Sequence, residues 1–182
     1  MTGAGRGFCA GADLKGTGGT REKTVTEVLI EEYKPGIMSI ANSDKTYIAA
    51  VSGPASGIGA AYAQACDMMI MGESAYIYMA FAAIALVPDG GNTWQLARQL
   101  GYKRAYQAIS DGHKIPAAQA VEWGLANRVT ADDTLLEDAK AWAEKAAHAA
   151  PLAVRNVKHI LRAATENDLS TVIDDEAHRQ FE

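Results

Sequence analysis

The sequence predicts an α/β protein in which strands and helices alternate first and helices alone finish the chain. Apolar segments typical of buried strands occur at residues 46–53 and 67–78, with an alanine-rich helical segment, residues 58–66, between them. After Pro88 the pattern is helical, and glycines stand where successive helices would stop. Alternation of this kind favours a layered α/β fold with a helical C-terminal part.

The N-terminal elements follow in order. Residues 1–19 are rich in glycine and are typical of a strand end with its following loop. Residues 22–43 carry apolar side chains at spacings of three and four, which predicts a helix that bends near Pro35 and Gly36. Residues 67–78 are apolar enough for one or two further strands.

The C-terminal part is predicted to be a series of helices. Three short helical segments end at Gly101, Gly112 and Gly124, because glycine commonly follows the last turn of a helix. A short strand is predicted near residue 129, and helical periodicity resumes beyond residue 133 and continues to the end.

Composition and charge narrow the class of protein. The 182 residues are 48% hydrophobic and 21% charged, which suits one domain with a sizeable core. The formal net charge of −5 offers no basic surface, so neither nucleic acid nor a membrane is an expected partner. The longest apolar run, residues 75–87, is shorter than the roughly 20 residues that span a bilayer, and we expect it to be buried core. With two cysteines and no secretory leader, the sequence predicts a cytoplasmic protein without a metal site.

Two glycine-rich loops are candidates for binding an anion through the backbone. They are GFCAGADLKG, residues 7–16, and GPASGIGA, residues 53–60. Small residues allow backbone N–H groups to approach a ligand closely, and two converging loops would supply the paired donors of an oxyanion hole. The same spacing also fits ordinary glycine turns, and both interpretations stay open. Neither loop matches the dinucleotide, P-loop or serine-hydrolase signatures.

One carboxylate, Asp89 in the segment LVPDGG, follows the apolar run and precedes a predicted helix. It fits an N-terminal cap, since aspartate commonly accepts hydrogen bonds from the first amides of a helix. It equally fits a general base, because an apolar pocket raises the pKa of a carboxyl group. The residues alone leave these two roles open.

Four segments together resemble the enoyl-CoA hydratase/isomerase family of the crotonase superfamily, in the family's order. They are TGAGRGFCAGADLKG, IAAVSGPASGIGAAYAQACDMMIMGESA, LVPDGG and AQAVEWGLANRV. The resemblance implies a spiral of ββα units, with a crotonase-fold core over residues 1–130 and a helical trimerisation region over residues 131–182. It also implies a homotrimer or hexamer. Family members have a strand-and-helix unit before the first motif and a further segment after the last helix, so we expect both to be missing here.

The resemblance also assigns site residues. It implies an acyl-CoA thioester as substrate, with coenzyme A as part of the substrate and no further cofactor. The thioester carbonyl would lie between the backbone amides of Ala12 and Ile58. The family usually has glycine at the second position, but isoleucine keeps its N–H. Contacts to coenzyme A would fall on Ala10, Ala12 and Lys15.

Isomerisation is the chemistry that the resemblance favours. The two glutamates of the family's hydratases are replaced by Ala61 and Phe81, so hydration is disfavoured. The isomerases, including the phenylacetate-pathway type that this sequence resembles most, place their catalytic acid at the position of Asp89. The prediction is therefore an isomerase that moves a 3-enoyl-CoA double bond to the 2-position.

Two alternatives remain. A dehalogenase-type enzyme would use Asp89 as a nucleophile, but it needs a histidine within residues 22–43, where none occurs. A non-catalytic acyl-CoA-binding protein would fit the missing glutamates and would leave Asp89 facing solvent.

Overall fold

The computed structural model describes residues 1–13 and 23–181 of the chain. Strands alternate with helices up to residue 130 and helices follow, as the sequence predicts. The strands are β1 (Ile48–Val51), β2 (Pro54–Ser56), β3 (Met68–Gly72), β4 (Tyr76–Tyr78), β5 (Lys114–Pro116) and β6 (Arg128–Thr130). The helices are α1 (Val25–Val28), α2 (Lys34–Ala41), α3 (Ile58–Ala65), α4 (Asn92–Ser110), α5 (Ala117–Glu122), α6 (Leu135–Ala147), α7 (Pro151–Ala164) and α8 (Leu169–His178).

Within the described residues the strands form two sheets that the chain visits in turn. The first sheet has the order β1-β3-β6 and is parallel throughout. In the second, of order β2-β4-β5, β2 and β4 are parallel and β5 is antiparallel to β4. Because β1 and β2 belong to different sheets, as do β3 and β4, and a helix follows each pair, the chain winds as a spiral of ββα units.

The first residues add an earlier turn to this spiral. Thr2 pairs in parallel with Ala50 of β1, and Cys9 pairs in parallel with Ala55 of β2. The next regular element along the described chain is the helix that begins at Val25. The glycine-rich start of the sequence is therefore held against both sheets.

The helix predicted over residues 22–43 runs from Val25 to Ala41 and contains a wide π-helical turn, Leu29–Tyr33. Pro35 lies in the first turn of α2, directly after this widened segment. Proline lacks the N–H that an ordinary α-turn would use, so the change of helix type at this point accommodates it.

Helix α3 supplies much of the main core. Its small side chains are almost completely buried and let the helix pack closely on β1, β2 and α4. Its residues Ala60, Ala61 and Ala63 have no exposed surface. A second cluster forms where α6 covers the first sheet, with Leu135 and Ala139 against Ile48 and its neighbours. The alanine-rich segment of the sequence is thus a packing element.

The apolar run at residues 75–87 is buried only in its first half. Met79 is fully buried and Phe81 is 5% exposed, whereas Leu86 is 52% exposed and Val87 is 82% exposed. A single 3₁₀ turn, Ala82–Ile84, carries the chain outward after Phe81. The expectation that the whole run is core is therefore wrong for residues 82–87.

A buried ionic network attaches α7 to the rest of the molecule. The Lys158 ammonium donates to the Ile40 and Lys45 carbonyls and to Asp67 Oδ2, each at 2.9 Å. Arg162 donates to the other oxygen of Asp67 at 3.1 Å.

Within the parts of the chain described here, none of the helices has the length and hydropathy needed to span a membrane.

Candidate active site

The first glycine loop runs beside β2. Phe8 and Cys9 both donate through their amides to the Pro54 carbonyl at 3.1 Å, and the Ser56 amide donates to the Cys9 carbonyl at 2.9 Å. Two chain segments far apart in sequence thus lie parallel and in register where each begins its loop.

The two predicted oxyanion residues follow this parallel pairing along the sequence. Cys9 pairs with Ala55, and Ala12 and Ile58 each lie three residues further along their parallel segments. The contact is close, because a Cβ atom placed on Gly59 would lie 2.5 Å from Cys9 Cβ. Within residues 1–13 and 23–181, no hydrogen-bond acceptor faces the amide of Ala12 or of Ile58. The arrangement leaves both N–H groups available to a ligand.

The Ile58 amide is the first of α3. Gly57 precedes it as the N-cap residue with a φ of 53°, a conformation that favours glycine. The first amides of a helix have no partner within the helix and attract negative charge. The Ile58 side chain is buried, so its extra bulk over glycine points into the core. The departure from the family's usual glycine leaves the amide in place.

The structure describes only some of the residues predicted to contact coenzyme A. Ala10 and Ala12 are exposed, so a ligand could approach their backbone. Lys15 lies outside the described residues. Asp13 lies at the end of the described part of the loop.

Asp89 does not cap helix α4. The helix begins at Asn92 with Gly91 as its N-cap, and Asp89 contributes its backbone carbonyl, which accepts from the Asn92 amide at 3.1 Å. In contrast, the side-chain Oδ1 atom of Asp89 is buried and meets no hydrogen-bond donor in the described parts of the chain. Burial raises the pKa of the Asp89 carboxyl group above its ordinary value. Of the two roles left open by the sequence, the capping role is wrong.

The turn that carries Asp89 packs on the start of α3. A Cβ atom on Gly90 would lie 2.5 Å from Ile58 Cδ1, 2.7 Å from Ala61 Cβ and 3.2 Å from Ile37 Cδ1. Gly90 has a φ of 61°, so both its conformation and its surroundings require glycine. The turn that carries Asp89 is thereby packed against side chains of the first turn of α3.

The two positions that hold glutamates in the family's hydratases are buried and apolar here. Ala61 has no exposed surface and Phe81 is 5% exposed. The Phe81 ring lies beside Gly57, where a Cβ atom would be 3.7 Å from Phe81 Cζ. The surroundings of the Asp89 turn therefore exclude water better than two carboxylates would.

Apolar side chains also lie open just before Asp89. Ile84, Leu86 and Val87 are largely exposed, and Ala85 between them has a left-handed φ of 57°. This exposed apolar segment, residues 84–87, adjoins the carboxylate in sequence and offers an apolar surface for an acyl chain. Two surface clefts, of about 280 Å³ and 230 Å³, lie elsewhere, where α6 meets Ile48.

A buried asparagine, Asn92, was not singled out from the sequence. It has no exposed surface, and its Nδ2 atom donates to the carbonyls of Gly57 and Asp89, each at 3.0 Å. A polar residue at the start of a predicted helix is usually interpreted as a cap or as a solvated side chain. Only the fold places it between the two turns.

No metal centre accompanies these residues: the described residues contain no group of three or more histidine, cysteine, aspartate or glutamate side chains arranged to hold an ion. Cys66 is buried, and burial raises the pKa of its thiol to about 11. Cys9 is half-buried beneath the first loop. The Asp89 carboxyl lies in the turn that packs on the start of α3, and burial raises its pKa.

The spiral of ββα units over two sheets is the architecture of the crotonase fold. The model of the family described as Enoyl-CoA hydratase/isomerase matches residues 1–181. The chain belongs to this enoyl-CoA hydratase/isomerase family, and the predicted crotonase fold is confirmed.

Curated relatives share about a third of their residues with this chain. One named 1,2-epoxyphenylacetyl-CoA isomerase, from Escherichia coli, is 37% identical over 96% of this chain and 68% of its own length. A probable enoyl-CoA hydratase from Rhodobacter capsulatus is also 37% identical, over 100% of this chain and 70% of its own. The chain therefore matches relatives that carry both names of the family.

Solved structures agree with the fold throughout. An enoyl-CoA hydratase from Polaromonas sp. superimposes with a TM-score of 0.92 at 33% identity, covering 98% of this chain and 70% of that one. An enoyl-CoA hydratase from Bacillus anthracis gives the same TM-score at 35% identity, with 98% and 69% coverage.

Proposed function

We propose that this protein is an enoyl-CoA isomerase that shifts the double bond of a 3-enoyl-CoA to the 2-position. The observation that carries the proposal is the Asp89 carboxylate, whose buried Oδ1 atom meets no donor in the described structure. A carboxylate oxygen that is buried and meets no donor is poised to take a proton from carbon. Its turn packs on the helix end that presents the Ile58 amide.

The paired amides supply the electrostatic part of the reaction. The substrate thioester oxygen would accept hydrogen bonds from Ala12 and Ile58, which each lie three residues beyond the paired Cys9 and Ala55. As the enolate forms, negative charge gathers on this oxygen, and preorganised donors stabilise it more than they stabilise the neutral carbonyl. The N-terminus of α3 adds its positive dipole to the same place.

A single carboxylate can perform both proton transfers. Asp89 removes a proton from C2 of the 3-enoyl-CoA, and the electron pair is delocalised over the thioester oxygen and C4. The protonated Asp89 then returns the proton to C4, which leaves the double bond between C2 and C3. No water enters the balance. The relative named 1,2-epoxyphenylacetyl-CoA isomerase supports isomerisation as the class of reaction.

Hydration is less well supported, although several relatives are named hydratases. Adding water to a double bond requires a group that positions the water and exchanges its proton. Ala61 and Phe81 can do neither, and both are buried. The exposed apolar segment before Asp89 favours an acyl chain at this surface.

The other two alternatives lose support for different reasons. A dehalogenase-type reaction needs a histidine on the helix Val25–Ala41, which has none in its sequence. A non-catalytic binder predicts an Asp89 that faces solvent, whereas its Oδ1 atom is buried. Asp89 as general base accounts for the buried carboxylate without a further partner.

The proposal also includes a binding path for coenzyme A and a trimeric or hexameric assembly. Coenzyme A would extend from the paired amides along the first loop, past Ala10 toward Lys15. A trimer, or a hexamer built from two trimers, would cover exposed apolar side chains of the C-terminal helices, among them Leu161, Leu169 and Ile173.

The test is a direct assay of double-bond migration. A 3-enoyl-CoA is incubated with the purified protein, and formation of the conjugated 2-enoyl-CoA is followed by its absorbance. We expect turnover in wild type and a loss of about 10²- to 10⁴-fold in Asp89→Asn. The matched control is Asp133→Asn, an exposed aspartate between β6 and α6, which should retain wild-type activity. Folded wild-type protein without turnover, or an Asp89→Asn variant with full activity, would refute the proposal.

A further inference from the structure

Asn92 joins the turn that carries Asp89 to the turn that carries Ile58. Its side chain is completely buried, and its Nδ2 atom donates to the Gly57 carbonyl and to the Asp89 carbonyl, each at 3.0 Å. Carbonyl oxygens only accept hydrogen bonds, so the amide nitrogen must face them. One carboxamide therefore spans the short distance between the two catalytic turns.

The Gly57 carbonyl belongs to the same peptide unit as the Ile58 N–H. That unit is trans, and in a trans peptide the C=O and N–H groups point in opposite directions across one rigid plane. The Ala60 and Ala61 amides of α3 also donate to this carbonyl, at 3.0 Å and 3.3 Å, but Asn92 does so from outside the helix. Holding the carbonyl from both sides fixes the direction of the Ile58 N–H. A donor on the carbonyl also polarises the peptide and strengthens its N–H.

Gln64 keeps the Asn92 carboxamide in this orientation. The Gln64 Nε2 atom donates to Asn92 Oδ1 at 2.9 Å, and the Gln64 side chain is itself buried. If the Asn92 carboxamide were rotated by half a turn, its nitrogen would face the Gln64 Nε2 donor. Its oxygen would then face the carbonyl oxygens of Gly57 and Asp89. Such unpaired buried groups are costly, so the network permits one orientation.

We infer that Asn92 is the positioning residue of this active site. Its carboxamide aims the Ile58 N–H at the acyl carbonyl and holds the backbone of Asp89 at a fixed distance from that N–H. The inference rests on the proposed function, since it concerns the alignment of the two groups that the proposal uses. Asn92 does not itself touch the reacting atoms.

The chain offers a matched control on the same helix. Gln95 is also buried, and its Nε2 atom donates from α4 to the Ala61 carbonyl of α3 at 3.3 Å. Asn92→Ala and Gln95→Ala both remove a buried carboxamide that links α4 to α3, but only Asn92 contacts the Gly57 and Asp89 carbonyls. A purely structural role predicts similar effects of the two substitutions.

The decisive measurement is the infrared stretch of the thioester carbonyl in bound, carbonyl-labelled butanoyl-CoA. In wild type, hydrogen bonds from the two amides should lower its frequency below the value in water. Asn92→Ala should move it back toward that value, and Gln95→Ala should not. With 3-enoyl-CoA, Asn92→Ala should lower kcat by about tenfold and leave KM within about threefold, because the lost alignment matters most in the transition state.

Each outcome separates this inference from the proposed function. A wild-type carbonyl shift that Asn92→Ala retains in full, with unchanged kcat, overturns the inference alone. A folded wild-type protein that neither binds butanoyl-CoA nor converts the 3-enoyl-CoA overturns the proposed function, and the inference with it. Should Asn92→Ala fail to fold, Gln64→Met removes the donor that orients Asn92, together with its weaker bond to the Ala60 carbonyl, and leaves Asn92 in place. Gln64→Met should move the carbonyl stretching frequency part of the way back toward its value in water. An unchanged frequency in that folded variant also overturns the inference.

Discussion

Gly90 and Ile58 approach so closely that a single methyl group on Gly90 would lie 2.5 Å from Ile58 Cδ1. This contact seats the turn of Asp89 on the first residue of α3, so the proposed base and one proposed oxyanion donor share a packing interface. The contact leaves room for a hydrogen atom only.

Gly90→Ala should therefore displace the Asp89 turn. We expect a loss of about 2–3 kcal/mol in the free energy of unfolding, from the clash and the left-handed φ together, and a loss of most isomerase activity. Gly91→Ala is the matched control, since Gly91 also has a positive φ but no atom within 4 Å of an added Cβ. Denaturant unfolding and turnover are measured on both. Equal effects of the two variants would contradict the role assigned to the Gly90–Ile58 contact.

Gly59→Ala tests the other contact of the site. The added methyl group would lie 2.5 Å from Cys9 Cβ and 2.6 Å from the Cys9 carbonyl oxygen. It would push the first loop away from α3 and disturb the register that aligns Ala12 with Ile58. We expect turnover to fall at least about tenfold, because one of two oxyanion donors is displaced. A folded Gly59→Ala protein with wild-type turnover would show that the two amides do not act as a pair.

The activity should depend on pH through Asp89. The base must be ionised in the free enzyme, and burial raises its pKa above the ordinary 3.8. The value of kcat/KM should therefore fall on acidification through this raised pKa, and earlier than for an exposed aspartate. A profile that stays level down to the ordinary pKa would contradict this assignment.

The same burial means that the ionised Asp89 carboxylate destabilises the folded protein. Because its folded pKa is raised, the ionised form is disfavoured in the native state, and the cost is fully present above the folded pKa. Asp89→Asn should thus raise the free energy of unfolding at pH 7 by less than about 1 kcal/mol, because water screens the partly exposed carboxyl group. The advantage should shrink as the pH falls through the raised pKa and vanish below 3.8. Urea unfolding of both proteins at several pH values measures it, and a variant less stable than wild type at pH 7 would oppose it.

Lys158 should be essential for the attachment of α7. Its ammonium is bonded to Asp67 and to two carbonyls and is almost completely buried, with 6% of the side chain exposed. Lys158→Met would leave Asp67 with Arg162 and the Tyr47 amide, and we expect a loss of about 3 kcal/mol in the free energy of unfolding. Lys145→Met, on the exposed side of α6, is the control and should change stability by less than about 0.5 kcal/mol.

The sequence was informative where local chemistry and fold agree. Alternating apolar and helical segments predict the order of the elements, and the glycines of the two loops indicate the turns at Ala12 and Ile58. Its main error concerns residues 82–87, because apolar composition predicts burial but cannot show that a 3₁₀ turn directs the chain outward. Asn92 could not be predicted, since its partners Gly57 and Asp89 come together only in the folded chain.

The parallel pairing of Cys9 with Ala55 also has a consequence for refolding. The two amides come from segments that are distant along the chain, so neither segment can form the site alone. Contacts of this kind close a long loop and form late compared with local helices. Regain of turnover during refolding should therefore lag behind regain of helical circular dichroism, which makes the enzyme's own substrate a reporter of the last tertiary step.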